Sequence, residues 1–534
     1  MKKTRKLIAI LLACMFALTL LAACGNDTGG APGGGGGAAT PPAGGGGGAG
    51  GGGDAPAEVR TLFVAVAQDA GTLHPHGITG AGGMLNAIRT IYDVMFEMRA
   101  DGSFEWRLVT DIEEITDIEY IFHVRQGVTF SNGNRLTAHD IYFTMNYVRD
   151  HPRLNAEVRH VDFENTFVLD DYRLQVGLLN FDVGVFPGFL QMYILNAESY
   201  NADLLASEPI GSGPYRVVDY VVNSHLIVEV RDDYWGPRPA IERIHFRVLD
   251  EPSQRVNALQ TGDVDFAAIP VREIEFVESL GYNVPRVEVG SSLGAFFNMT
   301  PGTPLGTLAA REAVMHAINR EAILNIAYAG LGTVSVWPSS RAAVDFQPRF
   351  AGMHPVYSIG HDPVRARELA EQEGLIGETI RIITNGDDTW VTVAEIIQHD
   401  LQEIGINAQI INFDQATYWA VMTDSENFEI AIQLVASPVP MGHRQMNSYP
   451  RFFPLGWDGP DRDEYLELGT RGMSTADEAE RLEITYQLLQ IFMRTHPWFN
   501  MIDLINAPAV SPDIGGIEFY LDGSVKFWHW YWVN

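Results

Sequence analysis

The chain has 534 residues, of which 46% are hydrophobic and 19% are charged, and its formal net charge is −31 at pH 7. Nucleic acids and anionic lipid surfaces attract proteins through basic patches, so this acidic balance argues against both as binding partners. Two cysteines, Cys14 and Cys24, are too few for a structural zinc site built from thiolates.

The first predicted element is a secretory signal peptide over residues 1–23. A cationic start, residues 1–6, precedes an apolar run over residues 7–20. The tetrad Leu21-Ala22-Ala23-Cys24 resembles a bacterial lipobox, which implies that cleavage leaves Cys24 as the first mature residue, lipidated on its thiol and amine. The alternatives are a plain signal peptide or a membrane-spanning helix, for which the run is at the lower limit of length.

A tether is predicted over residues 24–57. Glycine supplies 17 of the 33 residues after Cys24, and such a segment cannot bury enough apolar area to fold. Its root-mean-square reach is about 30 Å. Loss of the four cations of the signal peptide moves the net charge from −31 to −35. We therefore expect a protein attached to the cell membrane through its lipid anchor, on the extracytoplasmic face at the cell surface or in the periplasm.

The body, residues 58–534, is long enough for two or three domains. Strand and helix patterns alternate along it without a repeat, which indicates an α/β architecture. The clearest predicted elements are strands over 58–67, 120–125 and 406–410, and helices over 137–149, 310–318, 393–404 and from Asp362-Pro363 onward.

Several short segments in fixed order resemble the extracellular solute-binding proteins of family 5, the peptide, nickel and opine group. The resemblance runs from about residue 60 to about residue 505. Most of these residues are predicted to serve the scaffold, and Arg311 and Glu321 are predicted to lie on a solvated helix face. The segments are Tyr120-x-Phe122-x-Val124-Arg125-x-Gly127 with its continuation to Thr144, Pro209-Ile210-Gly211-Ser212-Gly213-Pro214-Tyr215, Asp233-Tyr234-Trp235, Ala258-Leu259-Gln260-x-Gly262-x-Val264-Asp265, and Arg311-x-Ala313 with its continuation to Ile323.

This resemblance implies a two-lobed, periplasmic-binding-protein-like α/β fold (type II, cluster C) with a subdomain inserted in the first lobe. It implies a monomeric binding component of an ABC importer, which has no enzymatic activity and no cofactor. A solute bound between the lobes would be delivered to permease and ATPase subunits. Lobe one is predicted over 58–101, 209–289 and 501–534, the inserted subdomain over 102–208, and lobe two over 290–500.

The resemblance leaves the solute open. Peptide binders of the family carry Trp-x-x-Asp-Tyr after a lobe-two strand, and the aspartate pairs with the peptide ammonium. Leu434 and Ser437 stand at the tryptophan and aspartate positions, so a neutral oligosaccharide or a metal complex competes with an oligopeptide, although Asp424 or Glu426 could replace the lost charge. The candidate ligand-binding residues are Gln68, His74, Asn298, Trp337, Gln433, Leu434, Val435, Ala436, Ser437 and Trp457, of which Trp337 and Trp457 are loop aromatics predicted to face the cleft.

Three other patterns in the sequence bear on this interpretation. Trp528, Trp530 and Trp532 alternate as on one face of a terminal strand. The string Gly290-Ser291-Ser292-Leu293-Gly294 matches a nucleophile elbow, but Pro301-Gly302 interrupts the helix that an elbow requires. His74-Pro75-His76 could contact a metal, although a plain loop with diverging side chains is the simpler interpretation. An extracellular hydrolase and an adhesive surface lipoprotein are the alternatives of a different class.

Overall fold

Strands and helices fill most of the chain after Val59. The computed structural model describes residues 59–77, 83–98, 104–151, 154–182, 189–190, 192–343, 346–358, 360–422, 427–436, 456–520 and 524–533. The predicted signal peptide, Cys24, the tether and Ser437 therefore lie outside the described residues, as do Asp424 and Glu426. Within the described ranges, no helix is long and apolar enough to cross a membrane.

The helices and strands are numbered here in chain order. The helices are α1 (Gly83–Ile91), α2 (Ala138–Asp150), α3 (Ala202–Leu205), α4 (Pro252–Thr261), α5 (Ile274–Ser279), α6 (Leu308–Ala317), α7 (Arg320–Ala327), α8 (Pro355–Ser358), α9 (Pro363–Gln372), α10 (Asp388–Glu403), α11 (Gln415–Met422), α12 (Pro460–Met473) and α13 (Glu478–Thr495). The strands are β1 (Thr61–Val66), β2 (Phe96–Met98), β3 (Phe104–Trp106), β4 (Val109–Thr116), β5 (Glu119–Val124), β6 (Val161–Asp170), β7 (Arg173–Leu178), β8 (Tyr215–Val221), β9 (His225–Val230), β10 (Arg243–Val248), β11 (Phe266–Ala267), β12 (Val287–Phe297), β13 (Thr333–Val334), β14 (Thr379–Thr384), β15 (Asn407–Asn412), β16 (Ile430–Ala436), β17 (Trp498–Asn506), β18 (Ala509–Val510), β19 (Ile514–Gly515) and β20 (Tyr531–Trp532).

Sheet 1 has six strands in the order β18-β11-β1-β10-β9-β8. The central strand β1 is parallel to both β10 and β11, and the remaining pairs are antiparallel. Its side chains alternate between a more and a less buried face, and Leu62 and Val64 enter the core that covers the sheet. The strands of sheet 1 come from segments predicted for lobe one.

Sheet 2 also has six strands, in the order β13-β17-β12-β16-β14-β15. The long strands β12 and β17 pair antiparallel inside the sheet, and β14 is parallel to β15 and β16. Helices α6, α10 and α13 bury residues in the core of this sheet. Both long strands run across the predicted lobe boundaries at residues 289/290 and 500/501, and those boundaries stay predictions.

Sheet 3 is antiparallel, in the order β4-β5-β7-β6, and lies within the segment predicted as the inserted subdomain. Helix α2 packs against it. The backbone N–H of Thr137 donates to the Asp140 carboxylate at 2.8 Å, which fixes the start of the helix. Phe122 and Ile141 are fully buried in a core separate from those of the two larger sheets.

Predictions that rest on local signals agree with the structure. Asp362 caps α9 by accepting the N–H of Arg365, with Pro363 at the first helical position. Helix α10 ends before Gly405, which adopts a left-handed φ of +91°. Gly211 is a scaffold residue as expected, because a Cβ there would lie 2.0 Å from the carbonyl oxygen of Ile91.

Two predictions about side-chain exposure and strand geometry are wrong. Arg311 is buried, and its guanidinium donates to the carbonyl oxygens of Thr495 and Leu305 instead of facing solvent. The tryptophan-rich C-terminus is a 3₁₀ turn, Phe527–His529, followed by the two-residue strand β20. Trp530 is fully buried in the core of sheet 1, so packing overrides the alternating pattern there.

Lys526 connects the C-terminal segment to the hairpin of β2 and β3. Its ammonium forms ion pairs with Glu97 and with Glu105, the latter at 2.8 Å, and only 4% of its side chain is exposed. The charge also lies 4.2 Å from the ring centre of Tyr520. Two carboxylates and an aromatic face thus compensate the burial of this cation.

Candidate functional site

A cavity of about 530 Å³ lies where strands of sheet 1 meet the end of the long strand β17 of sheet 2. This volume falls within the range of small-molecule sites, and its walls are mainly apolar. The lining residues are 64–67, Leu85, Asn86, Arg89, Phe266, Ala268, Ile269, Val271, Tyr328, 504–508, Phe519, Ser524 and Phe527.

The first wall is formed by the carboxyl ends of the parallel strands β1 and β11. Ligands of open α/β sheets bind at this edge, because loops leave the strands there. Asp265 holds the two strands together. Its carboxylate accepts the N–H of Phe63 at 2.9 Å, and its own N–H donates to the Phe63 carbonyl at 2.8 Å. Burial raises the pKa of this carboxyl, and the carboxyl is a scaffold group at the base of the wall.

The second wall is the segment over residues 504–508, where the chain passes from β17 of sheet 2 to β18 of sheet 1. The chain passes between the two sheets before β12 and again after β17. Asn506 of β17 pairs with Val287, the first residue of β12, so these two connections run side by side. Tyr328, at the end of α7, adds an aromatic ring, and burial raises the pKa of its phenol. The cavity therefore adjoins the connections about which the two sheets could move.

Helix α1 provides the charged and polar part of the wall. Arg89 donates to the Tyr193 hydroxyl at 3.3 Å and contacts the Ser524 hydroxyl, and Asn86 accepts the N–H of Val525 at 3.3 Å. Arg89 is the one charged side chain among the described lining residues, which include no aspartate or glutamate. Its guanidinium carries hydrogen-bond donors and no acceptor.

The predicted ligand residues of β16 belong to the core of sheet 2. Val435 is fully buried opposite Ser292, and Ala436 ends the strand opposite Ser291. Gln433 accepts the Tyr418 hydroxyl at 3.3 Å, and Leu434 packs against the core. These described residues do not line the cavity.

The two loop tryptophans are buried, so the prediction that they face a cleft is corrected. Trp337 is fully buried and stacks on Phe350, with the ring centres 5.7 Å apart. Trp457 is 3% exposed and meets the edge of Tyr465 at 5.0 Å. Both rings extend the core of sheet 2, because that core offers more contact area than a loop surface does.

Asn298 lies at the far end of β12 from the cavity. Its amide donates to the Phe428 carbonyl at 2.9 Å and accepts the N–H of Thr300, so its polar atoms join two loop segments. Gln68, by contrast, is exposed and directly follows the cavity residue Ala67. Of the predicted residues within the described ranges, Gln68 is next to the wall and Asn298 is remote from it.

His74 and His76 do not diverge, which corrects that expectation. The His76 N–H donates to Nδ1 of His74 at 3.2 Å, and the two rings pack with Tyr147. The imidazole of His76 also bonds to the Tyr193 carbonyl at 2.8 Å. Burial lowers the pKa of His76 to about 4, so the ring is neutral near pH 7. The pair belongs to a buried aromatic cluster.

Ser292 lies inside the continuous strand β12 and not at a turn between a strand and a helix. Its hydroxyl donates to the Asp503 carboxylate at 3.0 Å. The elbow geometry that exposes a nucleophilic serine is therefore not formed at this position, as the interrupted pattern predicted.

Comparison with known families identifies the chain. The model of the bacterial extracellular solute-binding proteins, family 5, matches residues 105–451. The chain belongs to this family. The family predicted from the sequence motifs is thus confirmed.

Curated relatives of this family-5 protein include two with different stated ligands. The nickel-binding periplasmic protein of Escherichia coli is 25% identical over 413 residues, which cover 69% of this chain and 74% of the relative. The glutathione-binding protein GsiB of Shigella boydii is 22% identical over 496 residues, covering 88% and 94%. The two relatives are thus named for different solutes.

Solved structures show that the fold is that of family-5 periplasmic binding proteins. NikA from Brucella suis in complex with Fe(III)-EDTA superposes with a TM-score of 0.78 at 20% identity, over 89% of this chain and all of that one. The oligopeptide-binding protein AppA of Bacillus subtilis, in complex with a nonapeptide, gives 0.75 at 17% identity, over 89% and 99%. The predicted fold class is confirmed.

Sequence reasoning missed most of the cavity wall of this family-5 protein. Arg89, Tyr328 and Ser524 come from three distant parts of the chain, and no local pattern connects them. The candidate Gln68 lies one residue beyond the wall, after the end of the predicted first strand. The strand order of sheet 1 was needed to bring β11 and residues 504–508 to the same edge.

Proposed function

We propose that this protein is the lipid-anchored, extracytoplasmic substrate-binding component of an ABC importer. In this proposal it captures an oligopeptide-like solute in the cavity between the two lobes and delivers it to the permease. Acylated Cys24 holds it at the membrane, and partner ATPase subunits supply the energy for uptake. The observation that carries the proposal is the cavity at the carboxyl ends of β1 and β11, in a chain of family 5.

The hydrogen-bond donors of Arg89 suit a solute that presents a carboxylate. Arg89 lies on the wall, and the described lining residues include no acid that could pair with an ammonium. A peptide would be oriented with a carboxylate toward Arg89, because a guanidinium binds carboxylate oxygens in a fixed geometry. Relatives named for glutathione, and structures solved with a dipeptide and a nonapeptide, are consistent with a peptide-like solute.

A neutral oligosaccharide or a metal complex is the second candidate. It is favoured by Leu434 and Ser437, which stand where peptide binders of the family have tryptophan and aspartate. The relative named for nickel and the NikA complex with Fe(III)-EDTA show that related proteins accept metal-containing ligands. In either case the proposed role is transport, without a catalytic step.

The test is to fill the cavity without disturbing the core. Ala268 is exposed on the cavity wall, so Ala268→Trp is expected to exclude solute and leave the fold intact. Native mass spectrometry of wild-type protein purified without unfolding should show an added solute mass, and this mass should be absent from the variant. Ala202→Trp, an equal change at an exposed position on α3, is the control and should retain it. Equal occupancy in wild type and Ala268→Trp would refute the proposed site.

A further inference from the structure

A second group of chemically active side chains lies in the core of sheet 2, apart from the cavity. Glu312, His354 and His496 each offer one ligand atom, and these three atoms lie within 4.8 Å of one another. None of them is among the described residues that line the cavity. His496 precedes β17 and the cavity adjoins the other end of that strand, so the two places are about 25 Å apart at 3.3 Å per residue.

Three separate elements hold the group in position. Glu312 lies on α6, and His354 directly precedes α8. His496 ends α13 in a left-handed conformation with φ of 42°, and its N–H donates to the Phe492 carbonyl at 2.7 Å. A non-glycine residue in this conformation is uncommon, and here the helix end and the following Pro497 and β17 aim its ring inward.

The imidazole of His496 is fully buried, and neither of its ring nitrogens has a hydrogen-bond partner among the described residues. Buried polar groups are nearly always paired, so an imidazole with two unpaired nitrogens calls for an explanation. Its ring centre lies 4.3 Å from that of His354. One turn after Glu312, His316 is 7% exposed, and its Nδ1 also lacks a described partner.

We propose that Glu312, His354 and His496 bind a divalent transition-metal ion, with Zn²⁺ as the representative case. Two imidazole nitrogens and a carboxylate oxygen are a donor set that Zn²⁺ takes in proteins. Zn–N bonds of about 2.0–2.1 Å place tetrahedral ligand atoms about 3.3 Å apart, so the three atoms would approach one another by up to about 1.5 Å. His316 or a water molecule completes the coordination.

The hydrogen bonds of His354 are compatible with this role. Its Nε2 lies 3.5 Å from the Glu312 carboxylate, and its Nδ1 is 3.3 Å from the N–H of Val356. To bind a metal through Nε2 the ring must carry its proton on Nδ1. The contact with Val356 is at the long end for a hydrogen bond, so it opposes that tautomer only weakly. The ion would replace the proton that otherwise lies between His354 and Glu312.

The surroundings favour a structural role. The Arg311 guanidinium bonds to the carbonyl oxygen of Thr495, the residue before His496, so a positive charge is nearby and Glu312 offsets it. The ion would join α6, the start of α8 and the end of α13 across the core. This inference does not depend on the identity of the transported solute or on the cavity.

The test measures metal binding in the full-length, untagged protein in detergent. The protein is stripped with EDTA and equilibrated with buffered Zn²⁺, and bound zinc is counted by mass spectrometry of the element. Wild type is expected to bind about one ion per chain and to unfold at a higher temperature with Zn²⁺. Co²⁺ should give the visible absorption bands of a histidine-bound ion.

The double variant Glu312→Gln/His354→Gln should bind Zn²⁺ at least about tenfold more weakly and lose the thermal shift. His399 and Glu403 form an exposed pair 4.0 Å apart on α10, so His399→Gln/Glu403→Gln is a matched control that should behave as wild type. The single variant His354→Gln changes only one half-buried side chain, so it disturbs folding less. It should also weaken Zn²⁺ binding and reduce the thermal shift. Wild-type protein without bound zinc, or undiminished affinity in the double variant, would overturn the proposal.

Discussion

The side chain of Asp503, on strand β17, is a buried carboxylate that accepts hydrogen bonds from neutral donors. It accepts the hydroxyls of Ser292 at 3.0 Å and Ser335 at 2.6 Å, and the N–H of Arg341 at 3.3 Å. The Arg341 guanidinium is 3.8 Å away and half exposed, so it compensates the charge only in part. Burial is the largest influence on Asp503 and raises the pKa of its carboxyl.

This shift predicts a pH dependence of stability. A carboxyl with a raised pKa in the folded protein contributes stability that is complete below its ordinary pKa near 4 and is lost as pH rises through the folded-state value. Asp503→Asn removes this ionisation. The free energy of unfolding of wild type minus that of the variant should therefore fall as pH rises from about 4 to about 7, in urea titrations. A difference that increases over this range would contradict the assignment.

At the residue scale, the burial of Arg311 could not be predicted from local sequence. A helical pattern of apolar residues predicted α6 correctly, but a charged residue within such a pattern is ordinarily solvated. Here two carbonyl oxygens, from Leu305 and Thr495, lie where the guanidinium can reach them. The Thr495 oxygen is at the end of α13, 184 residues away along the chain, which no local pattern describes.

At the scale of elements, the Asp233-Tyr234-Trp235 motif joins three segments of the chain. Trp235 donates its indole N–H to Asp93 at 2.8 Å, and Arg107 pairs with the same carboxylate at 2.7 Å. Arg107 also donates to the Tyr234 hydroxyl at 2.8 Å. The motif following β9 therefore fixes the segments after α1 and β3, which is a scaffold role.

The variant Trp235→Phe should measure this connection. It keeps an aromatic ring but removes one donor from the buried Asp93, and the expected cost is about 1–3 kcal/mol of unfolding free energy. Urea titration gives the value. Trp419→Phe, at a side chain that is 41% exposed, is the control and should change stability by less than about 0.5 kcal/mol. Equal losses in the two variants would show that the hydrogen bond to Asp93 is unimportant.

Local signals were sufficient for many elements and insufficient for the site. The caps at Thr137 and Asp362 and the glycine after α10 act within a few residues, so the sequence displays them directly. Burial of Trp337 depends on which helices and strands cover it, and the prediction that it faces a cleft was wrong. The cavity wall is a property of strand order, which explains why its neighbour Gln68 was found and Arg89 was not.

At the scale of the whole molecule, the two large sheets are connected by adjacent stretches of backbone. The start of β12 and the end of β17 pair through Val287 and Asn506, and β18 then joins sheet 1. The cavity lies beside this double connection. In the proposed function, closure on a solute about these strands would change the surface that a permease meets.

The proposed anchor predicts where the whole molecule is found in the cell. Cys24→Ala should move the protein from the membrane fraction to the soluble extracytoplasmic fraction, because the acyl chains are lost. Fractionation followed by detergent phase separation measures this. Cys14→Ala changes the other cysteine, within the predicted signal peptide, and should leave the protein in the membrane fraction. A membrane-bound Cys24→Ala protein would refute lipid anchoring at this residue.

The ion pairs of Lys526 have a consequence for how this protein is digested. Lys526 is the single lysine after Lys6, so a lysine-specific protease has one cleavage site in the body of the chain. That site is held between Glu97 and Glu105 and stands between Ser524 and Phe527 of the cavity wall. Cleavage requires the C-terminal segment to detach from the β2–β3 hairpin. A single proteolytic cut thus reports the opening of one edge of the cavity, without any label introduced into the protein.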